Sequence, residues 1–216
     1  MDATEQKHPS DVFFTEAVKA VQTRRGSRTA YARKEANDGF GRTITPDLAE
    51  WLAGRDSFYL ATASADGQPY IQHRGGPPGF IRVLDEHTLA FADYRGNRQY
   101  ITLGNLAEND HAMIFLMDYE NQSRIKIWGH ARVVEDDPAL LEKLMPEGYQ
   151  AMPEQVIVFT VDVWDSNCPQ HIPQKLDVAD VRTVVGQLQE KLASLETEVA
   201  ALRAGVRGCG GAGVRG

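Results

Sequence analysis

Between residues 57 and 164 the apolar side chains recur at every second position in short blocks, and turn-forming residues separate the blocks. A period of two marks strands buried on one face. The blocks at 57–64, 69–74, 80–84, 88–92, 112–117 and 124–134 predict six strands, and VIVFTVDVW at 156–164 predicts a long final one. Asp66-Gly67 is a hairpin turn signal between the first two. One helix interrupts the series, with Tyr100, Leu103 and Leu106 on one face, and a short one is expected at 138–144. A doubly wound parallel sheet needs helices between most of its strands, and here they are missing. The pattern therefore predicts a mainly β fold, a six- to seven-stranded antiparallel barrel with flanking helices.

The chain has 216 residues, 42% of them hydrophobic, which suffices for one core plus appendages. Its formal net charge of −7 argues against nonspecific attraction to nucleic acid or to an anionic membrane. The start, MDATEQKHPSD, has neither a basic nor an apolar leader segment, and no apolar run reaches the length of a membrane span, so a cytoplasmic location is expected. Cys168 and Cys209 lie in unlike contexts and predict no internal disulfide. Residues 1–50 form an N-terminal region: a helix over 12–22, a basic connecting arm over 24–42, and a second helix opened by Thr45-Pro46-Asp47 and closed by Gly54. The barrel occupies 51–165, a polar loop 166–176, a coiled-coil helix 177–204 and a glycine-rich tail, expected to be disordered, 205–216.

The turn after FADY carries Arg95, Gly96, Asn97 and Arg98 and leads directly into the helix. Two guanidiniums, a glycine that admits close backbone approach and the free N–H groups of a helix N-terminus together suit an anion. In an acidic chain, a local cluster of arginines favours a small anionic ligand. His73 and His171 have no partner at metal-ligand spacing along the chain, so no metal site is expected. Cys168, between asparagine and proline, reads as a small loop side chain.

The order of these segments, with FADYRGNRQ and RIKIWGHARV as its most specific parts, resembles the pyridoxamine 5′-phosphate oxidase family and its FMN-binding split-barrel relatives, over residues 51–164. The resemblance is to a flavin-nucleotide-binding branch and not to the oxidase itself. It implies a split β-barrel, FMN as cofactor, and a homodimer with the flavin site at the interface. It further implies that Asn97, Arg98 and Gln99 hold the phosphate, that Gln72, His73, Arg74 and Gly75 run beside the ring and ribityl chain, and that Ala92 and Asp93 contact the flavin. Arg124 stands where the family has a flavin-contacting glutamine, and Arg74 would bring positive charge to the ring. Gln99 replaces a usual lysine, Gln72 an arginine, and the oxidase's C-terminal signature is missing, so FMN binding carries over better than vitamin B6 chemistry. The loop WDSNCPQHIPQ stands in that place and offers Asn167, Gln170 and His171 toward a substrate, with His171 the candidate proton donor. The expected function is FMN-dependent oxidoreduction of a small substrate, with NAD(P)H as a donor. The alternatives are a flavin-binding or flavin-sensing protein without turnover, or a binder of haem or a deazaflavin.

In the C-terminal segment, Val178, Val185, Leu192 and Val199 fall at heptad position a, and Val181, Leu188, Leu195 and Leu202 at d. β-Branched residues at a with leucine at d favour a parallel two-stranded coil. In that arrangement Asp177 faces Arg182, Lys191 faces Glu196 and Glu198 faces Arg203 of the second chain.

Overall fold

The computed structural model describes residues 8–166 and 169–209. The chain divides into two compact units, the first made of Met1–Asp118 and Gln122–Ile172, the second of Tyr119–Asn121 and Pro173–Gly216. In the first unit lie α1 (Glu16–Arg25), α2 (Arg28–Ala36), α3 (Pro46–Ala53), β1 (Ser57–Ala63), β2 (Pro69–Gly75), β3 (Arg82–Asp85), β4 (Thr88–Tyr94), α4 (Ile101–Glu108), β5 (His111–Asp118), β6 (Ser123–Val134), α5 (Pro138–Leu144) and β7 (Pro153–Ser166). The strands form one seven-stranded antiparallel sheet in the order β2-β1-β5-β6-β7-β4-β3. With its flanking helices this is a split barrel.

The sheet curls around one apolar interior. Phe58 and Leu60 of β1, Leu89 and Phe91 of β4, Ile114 and Leu116 of β5, Ile127 of β6 and Phe159 of β7 are buried there. Leu48 and Leu52 of α3 pack into the same interior, and each such side chain contributes about 1.5–3 kcal/mol relative to exposure. The α3 start follows the sequence signal, since Thr45 Oγ1 accepts from the Leu48 N–H at 3.2 Å and Pro46 needs no donor. The outer face of β4 is covered as well: Ala90 and Ala92 pack with Val156, Val158 and Leu144, the last from α5. That is why β4 reads as a nearly continuous apolar run.

Between β6 and β7 the register shifts at Trp128 and Gly129. A Cβ on Gly129 would lie 1.9 Å from the Thr160 carbonyl oxygen, so only glycine allows the strands to approach there.

The N-terminal region departs from expectation. The helix expected over 12–22 is broken into a helical turn at Pro9–Val12 and α1, because Phe13 and Phe14 turn inward: Phe13 stacks on Trp128 at 4.3 Å, and Phe14 meets Tyr31 and Phe40 edge-on. The basic arm contains α2, reached through Gly26 in the left-handed region at φ 82°. The buried Glu35 carboxylate ties α2 back by accepting from Ser10 Oγ at 2.9 Å, and Arg28 of the same helix pairs with it.

In the second unit α6 (Val178–Cys209) is one long helix. It runs through residues 205–209, into the glycine-rich tail expected to be disordered, and 210–216 lie outside the described residues. No helix among the described residues is long and apolar enough to cross a membrane.

Candidate functional site

β2 forms one edge of the sheet and has a ladder with β1 only, while β4 lies next to the opposite edge. Curling brings the two across from each other, and side chains join them where no ladder does. Arg74 of β2, mostly buried, pairs with Asp93 of β4, which is buried. Asp93 Oδ2 in turn accepts from Gln155 Nε2 of β7 at 2.6 Å. Burial is the largest influence on both charged groups. It pushes the Asp93 carboxyl above its ordinary value, against the opposing pull of Arg74 and Gln155, and it lowers the guanidinium, which still stays charged.

Beside this pair opens a cavity of about 310 Å³, lined by Gln72, His73, Arg74 and Gly75 of β2, by Ala92, Asp93 and Tyr94 of β4, and by Tyr149 and Ala151. Its volume falls at the lower end of the ~300–1,000 Å³ usual for a small-molecule site. A smaller hollow adjoins it, with Gln72, Arg74 and Asp93 common to both, and is reached by Gly96, Asn97, Arg98 and Tyr100. α4 is fixed against this region by two bonds. Thr102 Oγ1 donates to Gln72 Oε1 at 2.9 Å, and Asn105 Nδ2 donates to Thr62 Oγ1 at 3.0 Å.

The turn into α4 is strained. Arg98 and Tyr100 both sit in the left-handed region, at φ 61° and 54°, a conformation that non-glycine residues adopt at a cost and that clusters at functional sites. No side chain caps the α4 N-terminus. Arg98 is exposed, and its Nε donates to the Tyr100 hydroxyl at 3.2 Å. Arg95 is already paired: its Nε lies 2.7 Å from Glu154 Oε1. Of the two guanidiniums expected to serve an anion, Arg98 therefore bonds a hydroxyl and pairs with no carboxylate among the described residues, and Arg95 is neutralised by a residue 59 positions away.

Eight of the residues expected at the cofactor are brought together: Gln72, His73, Arg74, Gly75, Ala92 and Asp93 line the cavity, and Asn97 and Arg98 the adjoining hollow. Gln99 lines neither, and its backbone N–H donates to Asn97 Oδ1 at 3.2 Å. Arg124 lies at the start of β6, paired in register with Met117, and lines neither space. His171 and Gln170 are exposed in the loop anchored by buried Ile172, away from the cavity lining; Asn167 and Cys168 lie outside the described residues. The expected free positive charge of Arg74 is offset by Asp93.

Sequence reasoning missed Tyr94, Tyr149 and Glu154. Tyr94 stood within the quoted turn motif, whereas Glu154 acquires its role through a contact that periodicity does not encode. Asp110, His111 and His130 also converge across two strands, where spacing along the chain does not reveal them.

Two buried polar atoms in the cavity wall, Arg74 Nε and the Tyr94 hydroxyl, lack partners among the described residues. Unpaired buried donors cost about 1–3 kcal/mol each, a cost that a water or a ligand reaching them would relieve. Burial also pushes the Tyr94 phenol up, with Tyr149 adding to the effect and Arg82 opposing it.

The family model for pyridoxamine 5′-phosphate oxidase matches residues 44–168, which span all seven strands, α4 and the turn before it. The chain belongs to the pyridoxamine 5′-phosphate oxidase family. Among solved structures similar to the chain, HupZ of Group A Streptococcus is 20% identical, over 62% of this chain and 99% of its own, with a TM-score of 0.47. A putative pyridoxamine 5′-phosphate oxidase from Lactobacillus delbrueckii is 21% identical over 58% and 95%, TM-score 0.44. An FMN-binding protein from Syntrophomonas wolfei is 13% identical over 65% and 97%, TM-score 0.46. No curated protein matches the chain.

Proposed function

We propose that the cavity between β2 and β4 binds FMN and that the protein is an FMN-dependent oxidoreductase of the pyridoxamine 5′-phosphate oxidase family. The observation that carries this reading is the conjunction of an uncapped, strained α4 entry bearing Arg98 with a cavity whose wall holds unpaired donors. Arg98, Asn97 and the α4 N–H groups take the phosphate. Arg74, Gly75, Ala92 and Tyr94, which line the cavity, would hold the ring system. FMN supplies hydride or electron transfer once bound, and the chain supplies anchoring, orientation and a partly water-excluded wall. Because Asp93 offsets Arg74, the site adds little net positive charge beside the ring. His73, exposed at the rim, is the histidine placed to exchange a proton there.

The test is the absorption spectrum of the purified protein and the mass of the released cofactor. Yellow protein releasing FMN supports the reading, and colourless protein that takes up no added FMN overturns it. Arg98→Ala removes one charge-assisted contact of about 1.5–3 kcal/mol, so FMN affinity falls about 10- to 150-fold. Bleaching by NADH or NADPH with recovery in air separates an enzyme from a passive binder.

The proposal includes a homodimer. The a and d side chains of α6 are exposed, from 42% at Val181 to 64% at Leu202, a stripe that a second copy in parallel register covers. The three complementary charge pairs select that orientation more than they stabilise it. Arg124, Gln170 and His171, remote from the cavity of their own chain, serve the cavity of the second copy. With Cys168 and Cys209 replaced by serine, Leu195→Cys forms a covalent dimer on mild oxidation if the coil is parallel. Failure to crosslink defeats that orientation.

A further inference from the structure

His111 opens β5, and His130 of β6 lies directly opposite it in the ladder. Their ring centroids are 4.5 Å apart. Asp110, the residue before β5, holds Oδ1 3.0 Å from His130 Nδ1. One nitrogen from each histidine and one carboxylate oxygen all fall within 4.8 Å of one another. On the far side of the same imidazole, Asp162 Oδ2 stands 3.2 Å from Nε2. That contact is the product of the β6–β7 irregularity: Trp128 pairs with Val163 and Gly129 with Val161, which leaves Asp162 as the extra, unpaired residue. A bulge of this kind re-aims a side chain, here onto His130.

We propose that Asp110, His111 and His130 form a binding site for a divalent transition-metal ion of the zinc class, with Asp162 positioning His130 from behind. Two imidazoles and a carboxylate suit such an ion, and three protein ligands leave a coordination position for water. Metal–ligand distances of ~2.0–2.1 Å in a tetrahedron place ligand atoms about 3.4 Å apart, so the cluster must contract by roughly an ångström. Asp110 and His111 are exposed and free to rotate by that much. A bond from Nε2–H to Asp162 leaves Nδ1 as the lone pair toward the ion, the carboxylate–histidine–metal arrangement that fixes a ligand's tautomer and orientation. His111 also lines, with Met113 and Trp128, an open hollow of about 260 Å³, which gives the ion's water or a small anion room beside the site.

The experiment uses the full, untagged chain after chelator treatment, titrated with Co²⁺ by visible absorption and with Zn²⁺ by calorimetry. One ion per chain is expected. His111→Gln, at an exposed position, should leave the thermal melt unchanged and weaken binding at least tenfold. Asp162→Asn should weaken it about 10- to 100-fold with stoichiometry intact. The absence of Co²⁺ bands, or affinity unchanged in His111→Gln, overturns the proposal.

Discussion

Arg74→Met tests whether the buried pair closes the gap between β2 and β4. Methionine keeps the length and much of the volume of the side chain but deletes the guanidinium. It leaves Asp93, whose side chain is 4% exposed, with Gln155 as its remaining identified partner. Breaking a buried pair from one side costs about 3–5 kcal/mol. At two to four degrees per kcal/mol for a domain of this size, Tm falls by roughly 6–20 °C. Asp93 recovers part of the loss by taking a proton, because burial already raises its carboxyl above 3.8 and Arg74 no longer opposes the rise. The folded variant then holds a proton more tightly than the unfolded chain does. Its stability is greatest below the unfolded carboxyl value and falls as pH rises through the folded one. The deficit against the wild type should therefore widen as pH rises from the Asp93 value in the wild type to the higher one in the variant. Denaturant melts of flavin-free protein over a pH series measure it, and Asp93→Asn with the double variant completes a cycle. A deficit below about 1 kcal/mol, or one constant across that range, refutes the picture of a desolvated pair.

Three further outcomes are expected. Tyr94→Phe removes an unpartnered buried hydroxyl, so flavin-free protein should gain up to about 1 kcal/mol in a melt while losing affinity for FMN; a marked loss of stability would mean the hydroxyl has a partner. Gly129→Ala should cost at least about 3 kcal/mol, or prevent folding, because its Cβ meets a backbone oxygen. Near-native stability in that variant would contradict the β6–β7 register. The Lys19 ammonium beside Asp11 holds that carboxyl below its ordinary value, so its contribution is present above the unfolded value and lost as pH falls through the folded one. In an NMR titration, Lys19→Met should move the Asp11 midpoint upward.

The barrel was legible because its physics is local. Alternation, the Asp66-Gly67 turn and the Thr45-Pro46 cap each act over a few residues, and β1, β2, α3 and α5 follow them closely. The N-terminal region was not, because Phe13 and Phe14 are governed by partners more than a hundred residues away and nearer ones on α2, not by helical spacing. The cavity followed the same division. Residues 72–75, 92–93 and 97–98 were found through motif resemblance, whereas the Glu154 hold on Arg95 and the convergence of Asp110 and His111 on His130 depend on strand register, which periodicity leaves undetermined.

Closing the β2–β4 gap with side chains and not with a ladder has a consequence for how such a site can change over time. A backbone ladder constrains every residue along it, since a slip of one reverses all of them. Here the joint rests on Arg74, Asp93 and Gln155, and the backbones on either side are held from behind by β1 and β7. Substitutions at a handful of wall positions can thus reshape what the cavity accepts while every ladder hydrogen bond of the sheet survives. The seam is where this scaffold can acquire a new ligand without having to refold.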